Sequence, residues 1–332
     1  MSRSLRITLS LVISAVFLFF AARGVDWATA AHELASANYL YALPMLAATV
    51  WALYIRAQRW RVLLRPVGTP AMRSLVAATN IGFMANMVLP LRMGEVIRPV
   101  MLSRKENEPL GGILATILLE RVFDLLTVVL LFGISATLVG VSETIRLWGY
   151  RLCWLAALMA ASVVFVRWQE GLALRILQLV LRPVPTKIAE TIDRFFHGFV
   201  QALEILDSPL AFLQIVAWSL LLWLVITSIY ALGIFAFDLP VPWLLGSIVV
   251  SAVTAIAVAA PSAPGYVGAF QLGCTLSLAI FGIAESEAFA FSIIVHLTQF
   301  FATVAAGLYS LTREGLSLRQ LEQAAQSEDH AA

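Results

Sequence analysis

Charge is what this sequence has least of. Of 332 residues only 13% are Asp, Glu, Lys or Arg, while 61% are hydrophobic; soluble domains carry about one quarter charged residues. A water-exposed globule cannot absorb that much apolar surface, which excludes an ordinary soluble domain. Cysteine is nearly absent, and Cys153 and Cys274 both sit in apolar stretches. They read as packing residues and supply neither a disulfide framework nor a thiolate metal cluster. The sequence has no nucleotide-binding glycine loop, no His pair at metal-ligand spacing and no nucleophile elbow. The expectation is therefore a chain that is not an enzyme, with no cofactor and no metal. The net charge of +2 is small and its basic residues scattered, which argues against a nucleic-acid partner.

What is present is a series of long uncharged runs, of which Leu210–Phe237 and Trp243–Ala260 are the clearest. A helix needs about 20 apolar residues to cross a hydrocarbon layer about 30 Å thick. The expected fold class is all-α, a polytopic membrane bundle with about eight spans, near 5–22, 39–56, 111–140, 148–166, 210–237, 243–260, 267–283 and 287–311. Residues 1–311 form one membrane domain and 312–332 a polar tail. Arg3 and Arg6 before Ile7–Ala22 resemble a secretory signal, but the run is long for one and reads as an uncleaved first span. Basic residues favour one side: Arg3 and Arg6, the group Arg56, Arg59, Arg61, Arg65 and Arg73, five more between 167 and 208, then Arg313 and Arg319. Arg23, Arg146 and Arg151 face the other, so both termini are expected in the cytoplasm and the chain in the cytoplasmic (inner) membrane.

Two segments break this pattern. Ser74–Leu91 is apolar yet bracketed by basic residues, so it reads as re-entrant, dipping in and returning through Asn80, Gly82, Asn86 and Pro90. A second re-entrant break is expected near 261–270. Between 186 and 204, Ile188, Ile192, Phe195, Phe196, Phe199, Val200 and Leu203 recur at helical spacing against a charged face, the pattern of an amphipathic helix on the cytoplasmic side.

Three constellations are candidates for function. In the first, Asn86 precedes Pro90, Arg92, Gly94, Glu95 and Arg98. Arg92, Glu95 and Arg98 are three apart and share a face if the turn after Pro90 is helical. Two guanidiniums around a carboxylate suit a phosphate headgroup; the other reading is a cytoplasmic loop with ordinary positive-inside arginines. In the second, Glu120, Arg121 and Asp124 lie about nine residues into a span, roughly 13 Å deep. Charges there cost a few kcal/mol each and face a bundle interior or cavity. They are either a structural ion pair between Asp124 and Arg121 or part of the cavity of Glu95. The third is Pro261, Pro264, Gly265, Gly268 and Gln271, an uncharged break whose following helix start can hold an anion. Pro90 and Gly94 are spaced like Pro264 and Gly268, and paired breaks in two halves point to a transporter site built from pseudo-repeats. His296 and Gln299 read as interhelical hydrogen-bond partners before ligands.

These residues resemble a family: the transmembrane domain of lysylphosphatidylglycerol synthases and its free-standing, flippase-like relatives. The likeness runs in order through Arg56-Ala-Gln-Arg59-Trp60-Arg61, Asn86 with Leu89-Pro90-Leu-Arg92-Met-Gly94-Glu95 and Arg98, Glu120-Arg121 with Asp124, and Pro261 with Pro264-Gly265 and Gly268. The resemblance implies a helical bundle with re-entrant segments that translocates aminoacylated phospholipids, hopanoids or related lipids. It also implies a free-standing member, since the chain stops about twenty residues after its last span, without a synthase domain. Where relatives often carry a carboxylate after the second break, this chain has Gln271.

Three functions compete. A lipid flippase would line a headgroup cavity with thirteen of these residues, all but Pro90, Gly94 and Pro261, and take a membrane lipid as substrate. A non-catalytic subunit would assist a lipid-modifying enzyme, and a second copy of the chain is the other candidate partner. An intramembrane hydrolase would pair Ser135 with His296, although Ser in a span more often bonds the preceding turn.

Overall fold

The computed structural model describes residues 3–139, 143–260, 263–316 and 320. Among them the chain is helical, with no strand. In order the helices are α1 Arg3–Ala22, α2 Trp27–Ser36, α3 Ala42–Leu63, α4 Met72–Val88, α5 Gly94–Glu106, α6 Leu110–Val139, α7 Glu143–Trp168, α8 Glu170–Leu181, α9 Thr186–Leu203, α10 Pro209–Ala236, α11 Trp243–Ala259, α12 Ala269–Ala279 and α13 Glu285–Arg313. Local chemistry sets several starts. Asp26 accepts from the amides of Ala28 and Thr29 at 2.8 and 3.1 Å to cap α2. Ser208 caps α10 by accepting from Ala211 N, with Pro209 at the first helical position, where it forfeits no bond.

The segments Tyr39–Leu63, Pro209–Ala236 and Glu285–Arg313 are each long and apolar enough to cross a bilayer. Counting the bent pairs within α1–α2 and α7–α8, which turn by 85° and 104°, there are up to five such spans among the described residues. At thirty residues, α6 is about 45 Å long. This is a polytopic helical bundle.

Several boundaries differ from the sequence reading. The span expected to end at 56 runs on to Leu63, because Trp60, Val62 and Leu63 continue the apolar face that α3 buries. The segment 267–283 holds α12, only 11 residues or about 16 Å long, too short to cross alone. It folds back on α11 instead. The amphipathic segment near 186–204 is α9, which packs along α6. Just before it stands α8, a 12-residue helix between the bend after α7 and α9. Pro261 and Arg319 lie outside the described residues, as do the Ser135 side chain and almost all of the 312–332 tail beyond Leu316.

The α4–α5 pair is the hairpin closest to the charges. Its limbs approach so tightly that a Cβ on Gly94 would collide with the Gly82 carbonyl oxygen and come 2.6 Å from Asn86 Oδ1. Buried apolar side chains around Trp60, Ile81, Met84, Leu102 and Ile113 hold this half together. A second cluster around Met45, Ile234, Phe270, Phe291 and Val295 joins α3 and α10 to α11–α13. Gly94→Ala is expected to lower the unfolding temperature in detergent, since overpacking costs about 1–3 kcal/mol. Gly133→Ala has open space around it and should be neutral or slightly stabilising. Equal losses in the two variants would contradict the close approach.

Candidate functional site

Three helices bring six charged side chains to one place inside the bundle. Arg59 of α3 and Glu120 of α6 are both fully buried, with 0% of each side chain exposed. The Arg59 guanidinium donates to Asp124 Oδ1 at 2.7 Å and lies 3.3 Å from Glu120 Oε1. Arg98 of α5 approaches Glu120 from the other side, at 3.1 Å to Oε2 and 3.3 Å to Oε1. Glu120 is thus clamped between two arginines from different helices. Arg98 also lies over the Trp60 ring at 3.9 Å, and Trp60 Nε1 donates to Thr116 Oγ1 at 2.9 Å. Arg59 donates in addition to Ser219 Oγ on α10 at 3.2 Å. An apolar cavity of about 280 Å³ lies behind Ser219, between α6, α7 and α10.

The outer members are looser. Arg56 Nη1 is 3.9 Å from Asp124 Oδ2, and its guanidinium lies 4.7 Å from the Phe83 ring centre. Arg121 is 3.7 Å from Glu120 and 3.8 Å from Asp124, with 43% of its side chain exposed. The internal pair expected between Arg121 and Asp124 therefore exists, but the closer partner of Asp124 is Arg59. The loop reading of Arg98 is overturned, since the residue is 3% exposed and paired.

Arg92 does not share a helical face with Arg98. Helix α5 begins only at Gly94, and Arg92 has a left-handed backbone, φ 53°. Its guanidinium donates to the carbonyls of Val258 and Ala260 at the end of α11 and lies 5.4 Å from the Tyr266 ring centre. Glu95 is 3.7 Å away and 44% exposed. Tyr266 is itself left-handed, φ 61°. A non-glycine residue held there costs on the order of 1–3 kcal/mol and persists where the surroundings impose it. The tips of the two hairpins, Pro90–Arg92 and Pro264–Tyr266, thus meet.

The remaining candidates build the second tip. Gly268 N donates to Gln271 Oε1 at 2.8 Å, which orients the Gln271 amide so that its NH2 donates to His296 Nδ1 at 3.0 Å. His296 Nε2 then carries the proton and donates to Gly265 O at 2.7 Å. His296 is a neutral strut that fixes the turn, also stacked on Phe270 at 4.5 Å; the side chain of Ser135, its expected partner in a hydrolase, lies outside the described residues. Gln299 Nε2 is buried without a hydrogen-bond partner among the described residues. Asn86 is buried with its Oδ1 unpartnered against the Gly94 backbone. The thirteen candidates therefore fall into two groups: the charged cluster with its hairpin tip, and the neutral His296 network.

Sequence reasoning missed Arg56, Arg59, Trp60 and Phe83 as site residues. The signal was legible: Arg56 and Arg59 are one turn apart, and apolar residues continue to Leu64, so the helix does not end between them. Among the described residues no three His, Cys, Asp or Glu side chains gather to hold a metal ion.

The pattern that defines the lysylphosphatidylglycerol synthase TM region matches residues 7–307. The chain belongs to that family. Among curated proteins, the glycosyltransferase AglD of Haloferax volcanii is similar, 25% identical over 316 residues covering 83% of this chain and 50% of AglD. The chain thus spans about half the length of that relative. No solved structure matches it at a significant level. Among the residues that carry the resemblance, Arg56, Arg59, Arg98, Glu120, Arg121 and Asp124 converge on one ion network.

Glu120→Gln removes the shared partner of Arg59 and Arg98, and breaking a buried pair costs about 3–5 kcal/mol. Arg121→Gln, at a partly exposed position, should cost about 1 kcal/mol or less. Unfolding followed by tryptophan fluorescence in detergent checks the ratio, and similar losses would show that Glu120 is not the keystone.

Proposed function

We propose that this chain is a lipid flippase or transporter of the inner membrane that admits the anionic part of a phospholipid- or hopanoid-type headgroup to the charged cluster. The observation that carries this reading is a charge imbalance. Five guanidiniums, Arg56, Arg59, Arg92, Arg98 and Arg121, meet three carboxylates, Glu95, Glu120 and Asp124. Among the described residues of the cluster two cations are in excess, and an anion that reaches its partly exposed side neutralises them. Arg121 and Glu95 are the exposed members, so a headgroup meets them first. Arg offers phosphate a planar bidentate fork, and Glu95 offers an acceptor to any amine on the same headgroup.

Broken helices support the reading. Irregular backbone at membrane depth is tolerated where protein or a polar cavity surrounds it, and the two tips bring such backbone beside the leftover charge. Both termini lie in the cytoplasm on this reading, and the protein performs no covalent chemistry. A second reading has its own support: half of a protein named a glycosyltransferase matches this chain. On that view the chain is a non-catalytic membrane partner of a lipid-modifying enzyme.

Purified protein in liposomes with headgroup-labelled lipids separates the two. The transport reading expects headgroups of the inner leaflet to become accessible only when the protein is present. Arg121→Gln should slow this about ten- to a hundredfold, the loss of one charge-assisted bond of about 1.5–3 kcal/mol. Asp207→Asn, in the exposed Arg167 pair outside the cluster, should leave it unchanged. Absence of exchange with every lipid class would favour the partner reading.

A further inference from the structure

The order of elements repeats. A helix bent sharply onto a short one, α1–α2 at 85° and α7–α8 at 104°, opens each half. A short 3-10 turn leads into a long helix, Tyr39–Tyr41 into α3 and Glu204–Asp207 into α10. A 17-residue helix follows in both halves, α4 and α11, and then a three-residue turn that starts with proline. A short return helix comes next, α5 or α12, and finally a long one, α6 of 30 residues or α13 of 29. Among the described residues α9 is the element without a counterpart.

The packing repeats with it. Helix α3 lies on its counterpart α10, and the Pro90–Arg92 turn meets its counterpart Pro264–Tyr266. Helix α4 packs on α13 as α11 packs on α6, and each hairpin closes on itself. Such exchange is what a two-fold axis between halves produces. Single residues agree. Arg92 and Tyr266 each stand two places after their proline, both left-handed and in contact; Gly94 and Gly268 stand four places after it. His296 lies as far into α13 as Arg121 into α6, and Gln299 as far as Asp124.

The halves differ in closure. In the second, α1 packs over α12, with Gly268 against the α1 backbone at Leu18 and Ala263 N bonded to Ser14 Oγ. The equivalent cover of α5 would be α7, but among the described residues α7 packs on α6, α8 and α9 and makes no comparable contact with α5. So Arg121 and Glu95 are exposed, whereas their counterparts His296 and Ala269 are buried.

We propose that the chain is an inverted-topology repeat whose halves exchange these two arrangements, so that the buried neutral cluster around Gln271 and His296 becomes exposed to the opposite side when the charged cluster is covered. If α1, α3 and α6 each cross the membrane and α4–α5 does not, the second half enters from the opposite face, the condition for alternating access around a site at the repeat interface. The Arg92–Tyr266 contact on the axis is the seal between the two openings. This rests on the transport reading for what passes; the repeat itself stands without it.

The test uses the full chain with Cys153→Ser and Cys274→Ala, and single cysteines at the equivalent positions before the long helices, Pro109→Cys and Ala284→Cys. A membrane-impermeant maleimide should label them from opposite faces; labelling from the same face overturns the inverted repeat, whatever the lipid result. In liposomes, a reducible cross-link between Met93→Cys and Val267→Cys should stop headgroup exchange, and reduction should restore it. Full exchange with the tips tied together overturns the moving seal. Opposite-face labelling with no exchange by the uncross-linked protein would leave the repeat in place and sink the transport reading alone.

Discussion

The clamp of Arg59 and Arg98 on Glu120 fixes how α3, α5 and α6 sit against one another. In a bilayer-embedded bundle neither the carboxylate nor the guanidiniums can turn to water, so all three helices must arrive in register or leave a buried charge alone. That requirement explains why α3 extends past Arg56 and why a helix with a charged turn is stable at this depth. It also explains why α5 is placed by a hairpin: Arg98 reaches Glu120 only because Gly82 and Gly94 let α4 and α5 touch.

Around this clamp the structure grades from fixed to available. Arg59 and Glu120 are enclosed, Arg56 and Asp124 sit at the edge, and Arg121 and Glu95 reach outward. The inner pairs set geometry and the outer charges are exposed. The second hairpin shows the same backbone solution with neutral chemistry. Gln271 and His296 use hydrogen bonds to fix a turn that in the first half is fixed by Arg92 and an ion pair. Both tips carry a left-handed non-glycine residue where they meet, so each turn is held there by its surroundings.

Much of this was legible beforehand, unevenly. The long apolar runs marked α1, α3, α6, α10 and α13, because a helix in hydrocarbon must carry its own length of apolar sequence. Pro90 and Pro264 marked both breaks, and Glu120 to Asp124 marked the charged turn. The eight-span reading of 267–283 failed because composition cannot tell a short helix folded back on its neighbour from one that crosses. Arg59 was counted among loop arginines because its partners, Glu120 and Asp124, lie more than sixty residues away.

The sequence by itself determined that this is an all-helical membrane protein, where its helices break, and that its rare charges gather in a few turns. Those follow from local composition and from the cost of unpaired backbone in lipid. Tertiary structure alone decided that Arg59, Arg98 and Glu120 form one network, that His296 is a strut, and that the tips at Arg92 and Tyr266 face each other. Pairing across such separations depends on how rigid helices pack in three dimensions, and no window of sequence contains that information.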